Sequence, residues 1–402
     1  MFEKLVYRES THKSYFDAGI IAEALVFYEK VIIIGGQGCI EQLFSKIPPF
    51  IALEMMREGM LEIHYREQVR GVMNEESKFS VVEISTDRFK IDTALPQLFL
   101  KHAGSGSQSK FAARKFLDMA HLYEVEYFAD NPFLQDLKDP VWLKKAAKTV
   151  ISAYAPGSNL STFEFCAHVQ GTQFTIETNL NQAEVTKFAH ANGFFPDSSI
   201  TPEYVVATLL GAFDELNTSA KLGGEVMADS LTSALHQLRL ERTYKPYASA
   251  GILEFNKVVL GDAKAIRDAV NHGRVSFADV LKIVGKGRKF RAWLQSDVID
   301  EEILREYYAK LSEKNWLDKL PNKAARFVIF QGAGAIFDGV GSLGLGGITA
   351  AAVNLADSFF IDKLLQGWKP NQYVDRDLSP IFGINSCAEI VQEYPDLPPP
   401  LS

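Results

Sequence analysis

The sequence predicts an α/β N-terminal domain followed by a mainly α C-terminal domain with one β-hairpin, an α+β chain overall. Three observations carry this. Short apolar runs alternate with helical patterns from Phe16 to Val82, long 3.6-residue patterns dominate after residue 110, and one stretch between Thr162 and Asn179 alternates with period two.

In the first region, residues 20–28 carry a helical pattern, Val31 to Ile34 are a strand, Ile40 to Phe44 begin a helix, Pro48 to Gly59 give another, and Leu61 to Tyr65 a second strand. The runs "RGVM" and "FSVVEIS" flank a polar turn and predict a hairpin at the edge of that sheet. The segment 101–110, rich in Gly and Ser and without apolar periodicity, is expected to be a linker or loop between domains 1–100 and 111–390.

Beyond it, helices are expected over Phe111 to Tyr123, Val141 to Tyr154, Glu203 to Lys221, Glu225 to Arg242, Ala263 to Asn271, Phe277 to Val284 and Glu301 to Leu320. Thr201-Pro202-Glu203 is a helix start with a cap residue, a proline at the first position and an early carboxylate. In the hairpin, Phe163, Phe165, Ala167 and Val169 alternate before Gly171, and Phe174 and Ile176 after it. The opposite face carries Glu164, Cys166, His168, Gln173 and Glu177, and reads as a solvated sheet surface. The proline-rich residues 391–402 cannot continue a helix.

Composition bounds function. With 402 residues, 47% of them hydrophobic, the chain can bury a large core. A net charge of −8 argues against general attraction to nucleic acid or to an anionic membrane, leaving only local patches for such partners. Cys39, Cys166 and Cys387 are dispersed and form no C-x-x-C pair, so no disulfide framework or zinc knuckle is expected. Charges among the first residues stand where a secretory peptide needs its apolar region, so the expected location is cytoplasmic, with peripheral membrane association allowed.

Three features are candidate sites. The first is the glycine turn Gly35, Gly36, Gly38, which begins a dinucleotide fingerprint but has Glu41 at the third glycine position. It is either a nucleotide turn or a plain strand-turn-helix. The second is the basic run Lys282, Lys286, Arg288, Lys289 and Arg291, a candidate anion site or a solvated helix face. The third is an apolar, Gly/Ala-rich helical hairpin over 324–365, in which only Asp338 and Asp357 are charged between Phe327 and Ile361. Glycines from Gly332 to Gly347 would each cost a straight helix about 1 kcal/mol, so two arms about a turn are expected. Phe337, Leu343, Leu345, Ile348, Val353, Phe359, Phe360 and Trp368 would face a membrane, a protein partner or a second copy of the chain.

No catalytic or metal-binding motif is expected. The histidines show no H-E-x-x-H spacing, Ser342 lacks the first glycine of a nucleophile elbow, and His121 with Glu124 and Glu126 reads as an exposed stripe. The leading expectation is a non-enzymatic binding or effector protein acting through the 324–365 hairpin. The alternative is a nucleotide- or dinucleotide-binding enzyme or sensor using Gly35–Gly38.

Overall fold

Val31 to Ile34 are four successive branched apolar residues, each almost inaccessible to solvent, as a strand covered on both faces requires. The computed structural model that contains this strand describes residues 3–9, 16–75, 78–85, 90–124, 132–194, 199–228, 264–295 and 325–327, with most of 231–239. These form, in order, β1 (Lys4–Arg8), α1 (Ala18–Phe27), β2 (Lys30–Gly35), α2 (Gln37–Lys46), α3 (Pro49–Arg57), β3 (Leu61–Arg66), β4 (Gln68–Glu75), β5 (Lys78–Ser85), α4 (Ile91–Ala103), α5 (Ser107–Met119) and β6 (His121–Tyr123). There follow α6 (Pro132–Leu137), α7 (Pro140–Tyr154), β7 (Phe165–Gln170), β8 (Gln173–Thr178), α8 (Gln182–Ala191), α9 (Pro202–Leu222), β9 (Glu225–Ala228), α10 (Lys264–Asn271), α11 (Phe277–Lys286), α12 (Arg288–Gln295) and β10 (Ala325–Phe327).

The first sheet runs β10-β9-β1-β2-β3-β6, parallel throughout except for β10 at its edge. Alternate strand residues point to opposite faces. Leu5, Tyr7, Val31, Ile33, Ile63 and Tyr65 enter one core with α1 to α5, and Val6, Ile32 and Ile34 pack on the other face with Leu222 of α9. The N-terminal region is therefore α/β, as expected. Its strand order places β2, β3 and β6 on one side of β1 and β9 on the other, so the winding reverses between β1 and β9.

Local chemistry explains the helix starts. Asp17 caps α1 by accepting from Ile20 N at 3.1 Å, and Asp139 caps α7 ahead of Pro140. The expected start of α9 is found, with Thr201 Oγ1 accepting from Tyr204 N at 3.2 Å. Lys90, at the N-cap of α4, makes no side-chain cap bond; Glu67, at the single-residue junction of β3 and β4, accepts from Ile91 N instead, at 2.9 Å.

The second sheet is antiparallel, β4-β5-β8-β7, and packs with α6, α7 and part of α9. The hairpin at Gly171 has the expected apolar face, with Phe163, Phe165 and Phe174 buried. The β4–β5 hairpin, expected at the edge of the first sheet, instead joins this one through Phe79↔Phe174 and Ser80↔Gln173. Those two rings stack at 5.6 Å, so burial of aromatic area fixes a pairing between segments remote in sequence.

Three further expectations are corrected. Residues 111–123 are not one helix, because α5 stops at Met119 and β6 pairs with β3. The helix expected from Glu225 begins as β9, whose Val226 and Met227 are buried beside β1. The arm expected from Ala324 carries β10, paired with β9. In each case an available strand edge outweighs local propensity.

Residues 101–110 run from the end of α4 through Gly104, at φ +84, into α5, and the two helices pack together. α10 and α11 return to α1, where Asn271 Oδ1 accepts from Gly19 N at 2.9 Å and Asn271 Nδ2 donates to Asp17 Oδ1 at 2.7 Å. Among the described residues, no helix is long and apolar enough to cross a membrane. The helix expected over 301–320, Ser342, the site residues Phe337 to Trp368 and the tail 391–402 lie outside the described residues.

Candidate functional site

The glycine turn is built as a strand-turn-helix. Gly35 ends β2, Gly36 stands at the N-cap of α2, and Gly38 lies in its first turn. A Cβ on Gly35 would come within 2.5 Å of Cys39 Cβ and Sγ, so glycine there permits close packing of helix on strand. The niche where a phosphate would meet the amide of a helix N-terminus holds the chain's own carboxylate: Glu9 Oε2 accepts from Gly36 N at 3.0 Å and from Arg66 Nη2 at 3.1 Å. Glu41, at the third fingerprint position, pairs with Lys101 on the surface.

The basic run lies at the junction of α11 and α12. Lys282, Lys286, Arg288 and Lys289 are exposed, Arg291 is half-buried, and Lys282 Nζ bonds Asp279 Oδ1 at 2.9 Å.

A third locus, which sequence reading did not reveal, lies on the face of the first sheet that α9 crosses. A cavity of about 250 Å³ is lined by Arg8 of β1, His64 of β3, Arg70 of β4, Leu122 and Tyr123 of β6, Glu124, and Asp214, Asn217, Thr218, Lys221 and Leu222 of α9. Arg8 and Arg70 converge on one carboxylate, at 3.6 Å to Asp214 Oδ2 and 2.8 Å to Asp214 Oδ1. All three side chains are nearly inaccessible, at 9% for Arg8, 7% for Arg70 and 8% for Asp214. Arg8 Nη1 also donates to Gly211 O at 3.3 Å, and its buried Nε has no partner among the described residues. Tyr123 Oη and Thr218 Oγ1 hydrogen-bond at 2.7 Å across the crevice floor.

Positive charge is crowded here. Burial, then the neighbouring Arg8, pushes the Arg66 guanidinium below its ordinary pKa, against the pull of Glu9. The lining holds the cationic side chains Arg8, Arg70 and Lys221 together with the carboxylates Asp214 and Glu124.

Beside the crevice, β3 and β6 bring together Glu62, His64 and His121. Glu62 and His64 share a strand face, and His64 is in register with His121 on the neighbouring strand. Glu62 Oε1 lies 2.7 Å from His64 Nε2 and 4.0 Å from His121 Nε2, and Glu62 Oε2 accepts from Lys30 Nζ at 3.0 Å. Burial, opposed by the bond to Glu62, lowers the His64 pKa, so this imidazole is neutral near pH 7. Burial alone would raise Glu62, but its bonds from His64 and Lys30 hold it below the ordinary range. His121 and Glu124, read from the sequence as part of an exposed stripe, are exposed, and Glu126 lies outside the described residues; the pairing of β6 with β3 adds His64 and Glu62 beside His121. The legible signal was Glu-x-His on a strand, whose period of two puts both side chains on one face.

A second trio, Cys166, His168 and Glu177, lies on the expected solvated face of the β7–β8 hairpin, with His168 Nε2 3.1 Å from Glu177 Oε2 and both side chains more than half exposed. Comparison with family models, curated proteins and solved structures finds no match for this chain.

Proposed function

We propose that the α/β region binds a small anionic ligand, bearing a phosphate or carboxylate, in the crevice between β1, β4, β6 and α9. One observation carries the reading: two buried arginines, Arg8 and Arg70, converge on Asp214 in the wall of a cavity that Lys221 also lines, so that guanidinium and ammonium groups gather around one small space. Arg8 and Tyr123, the last residues of β1 and β6, line the crevice, so it opens at carboxyl ends of strands, where open parallel sheets commonly bind ligands.

The cavity limits the ligand. At about 250 Å³ it lies just under the usual range of roughly 300–1,000 Å³ for ligand sites, which suits a phosphate-bearing fragment better than a whole dinucleotide. The nucleotide expectation thereby moves away from Gly35–Gly38, where Glu9 stands in for the anion.

Melting of the full chain in inorganic phosphate, pyrophosphate and a nucleoside monophosphate, against chloride at equal ionic strength, tests the reading. A ligand at a hundred times its Kd stabilises the folded state by about 2.7 kcal/mol. Lys221 is exposed, so Lys221→Met should weaken the response while leaving the unliganded melting temperature in place. Superimposable curves in every anion would remove the proposal.

A second reading rests on the near absence of charge from Phe327 to Ile361: that segment engages a membrane or protein partner, and the chain acts as an effector through it. Flotation of the full chain with anionic liposomes, beside Leu345→Asp/Val353→Asp, tests the membrane form. Equal flotation of both proteins, or none by either, counts against it.

A further inference from the structure

The geometry points to a divalent transition-metal site, of the zinc type, formed by Glu62, His64 and His121. It stands independently of the anion crevice, with which it shares only His64. The donor set is two imidazole nitrogens and one carboxylate oxygen, a combination that suits zinc and its neighbours rather than calcium or magnesium. One ligand atom from each residue lies within 4.8 Å of the other two. Donors about 2.0–2.2 Å from a tetrahedral ion stand roughly 3.3–3.5 Å from one another. The present separations of 2.7 and 4.0 Å from Glu62 Oε1 to the two imidazoles straddle that value.

The surroundings also fit. The His64 and His121 rings lie 5.0 Å apart and tilted by 32°, held there by strand register rather than by a loop. Glu62 presents Oε1 to both histidines while Lys30 holds Oε2, the outer contact that commonly orients a carboxylate ligand. The side chains of His64 and Glu62 are 13% and 24% exposed, whereas His121 is 56% exposed and offers an entry path. On binding, the neutral His64 would exchange its tautomer, the proton between Nε2 and Glu62 passing by way of solvent to Nδ1, so that the Nε2 lone pair is free for the ion. Three protein donors leave a fourth position for water or ligand. The Cys166, His168, Glu177 trio is the weaker candidate because solvent competes at its more exposed side chains.

The test uses untagged full-length protein, stripped by chelator and titrated with Zn²⁺ by calorimetry and with Co²⁺ by visible absorption. One equivalent is expected, with a ligand-field band diagnostic of low coordination number. His121→Ala, at an exposed position, should keep the melting temperature and weaken binding at least tenfold. Lys30→Met should weaken it by roughly ten- to a hundredfold, as outer-contact substitutions do. His168→Ala should leave it unchanged. Absence of stoichiometric binding overturns the inference, as does binding that survives His121→Ala and Glu62→Gln, or binding lost with His168→Ala.

Discussion

Replacing Asp214 by Asn keeps the side chain's shape and removes the one carboxylate that two buried guanidiniums share. Its Oδ1 accepts from Arg70 at 2.8 Å, and the amide oxygen can still do so. The amide nitrogen would then face Arg8 Nη2, 3.6 Å from the present Oδ2, as donor against donor. With all three side chains less than a tenth exposed, water entering from the cavity makes up only part of the loss. Breaking a buried pair by removing one partner costs about 3–5 kcal/mol, and the carboxylate removed here serves two guanidiniums. For a urea slope of about 3 kcal/mol per M, the unfolding midpoint should fall by about 1–1.7 M. Arg70→Met should cost less, because the Arg8–Asp214 pair survives it. Added phosphate should raise the midpoint of Asp214→Asn more than that of the parent protein, since an outside anion can take the vacated role. A midpoint shift below about 0.3 M, or the same phosphate response in both proteins, would refute the claim that Asp214 neutralises a cationic pocket open to solvent.

Other outcomes follow from the same structure. Gly35→Ala should lower stability by about 1–3 kcal/mol, because its Cβ meets Cys39 at 2.5 Å in a packed core; an unchanged melting temperature would show that α2 shifts freely. Burial pushes the Glu67 carboxyl up, but the Ile91 amide and Lys90 pull it further down, below its ordinary 4.5. A carboxyl depressed by folding stabilises the protein above its unfolded value, and that contribution disappears as pH falls from 4.5 through the lower folded value. Glu67→Gln should therefore cost about 1 kcal/mol near neutral pH and progressively less below 4.5, read from thermal melts at several pH values; a pH-independent difference would contradict this. Asn271→Ala should cost about 1 kcal/mol and release α10 from α1, seen as faster amide exchange in residues 264–271 with α7 unaffected.

What the sequence determined by itself is what neighbours along the chain decide. The run Val31 to Ile34, the glycine turn after it, the cap at Thr201 and the hairpin about Gly171 each follow from periodicity, chirality or a bond spanning a few residues, and each is found in place. Tertiary structure decided where marginal segments went. β6 and β9 have three and four residues, too few to show a period, and exist because β3 and β1 offer unpaired edges. It decided too that the β4–β5 hairpin leaves the parallel sheet to stack Phe79 on Phe174. The candidate sites belong wholly to this second class. Arg8, Arg70 and Asp214 are brought together across more than half of the described chain, and Glu62, His64 and His121 meet only through the register of β3 with β6. Apart from the Glu62-x-His64 spacing on β3, no local pattern marks these groups, because single charged residues on strands and helices look like solvated surface until packing removes the water around them.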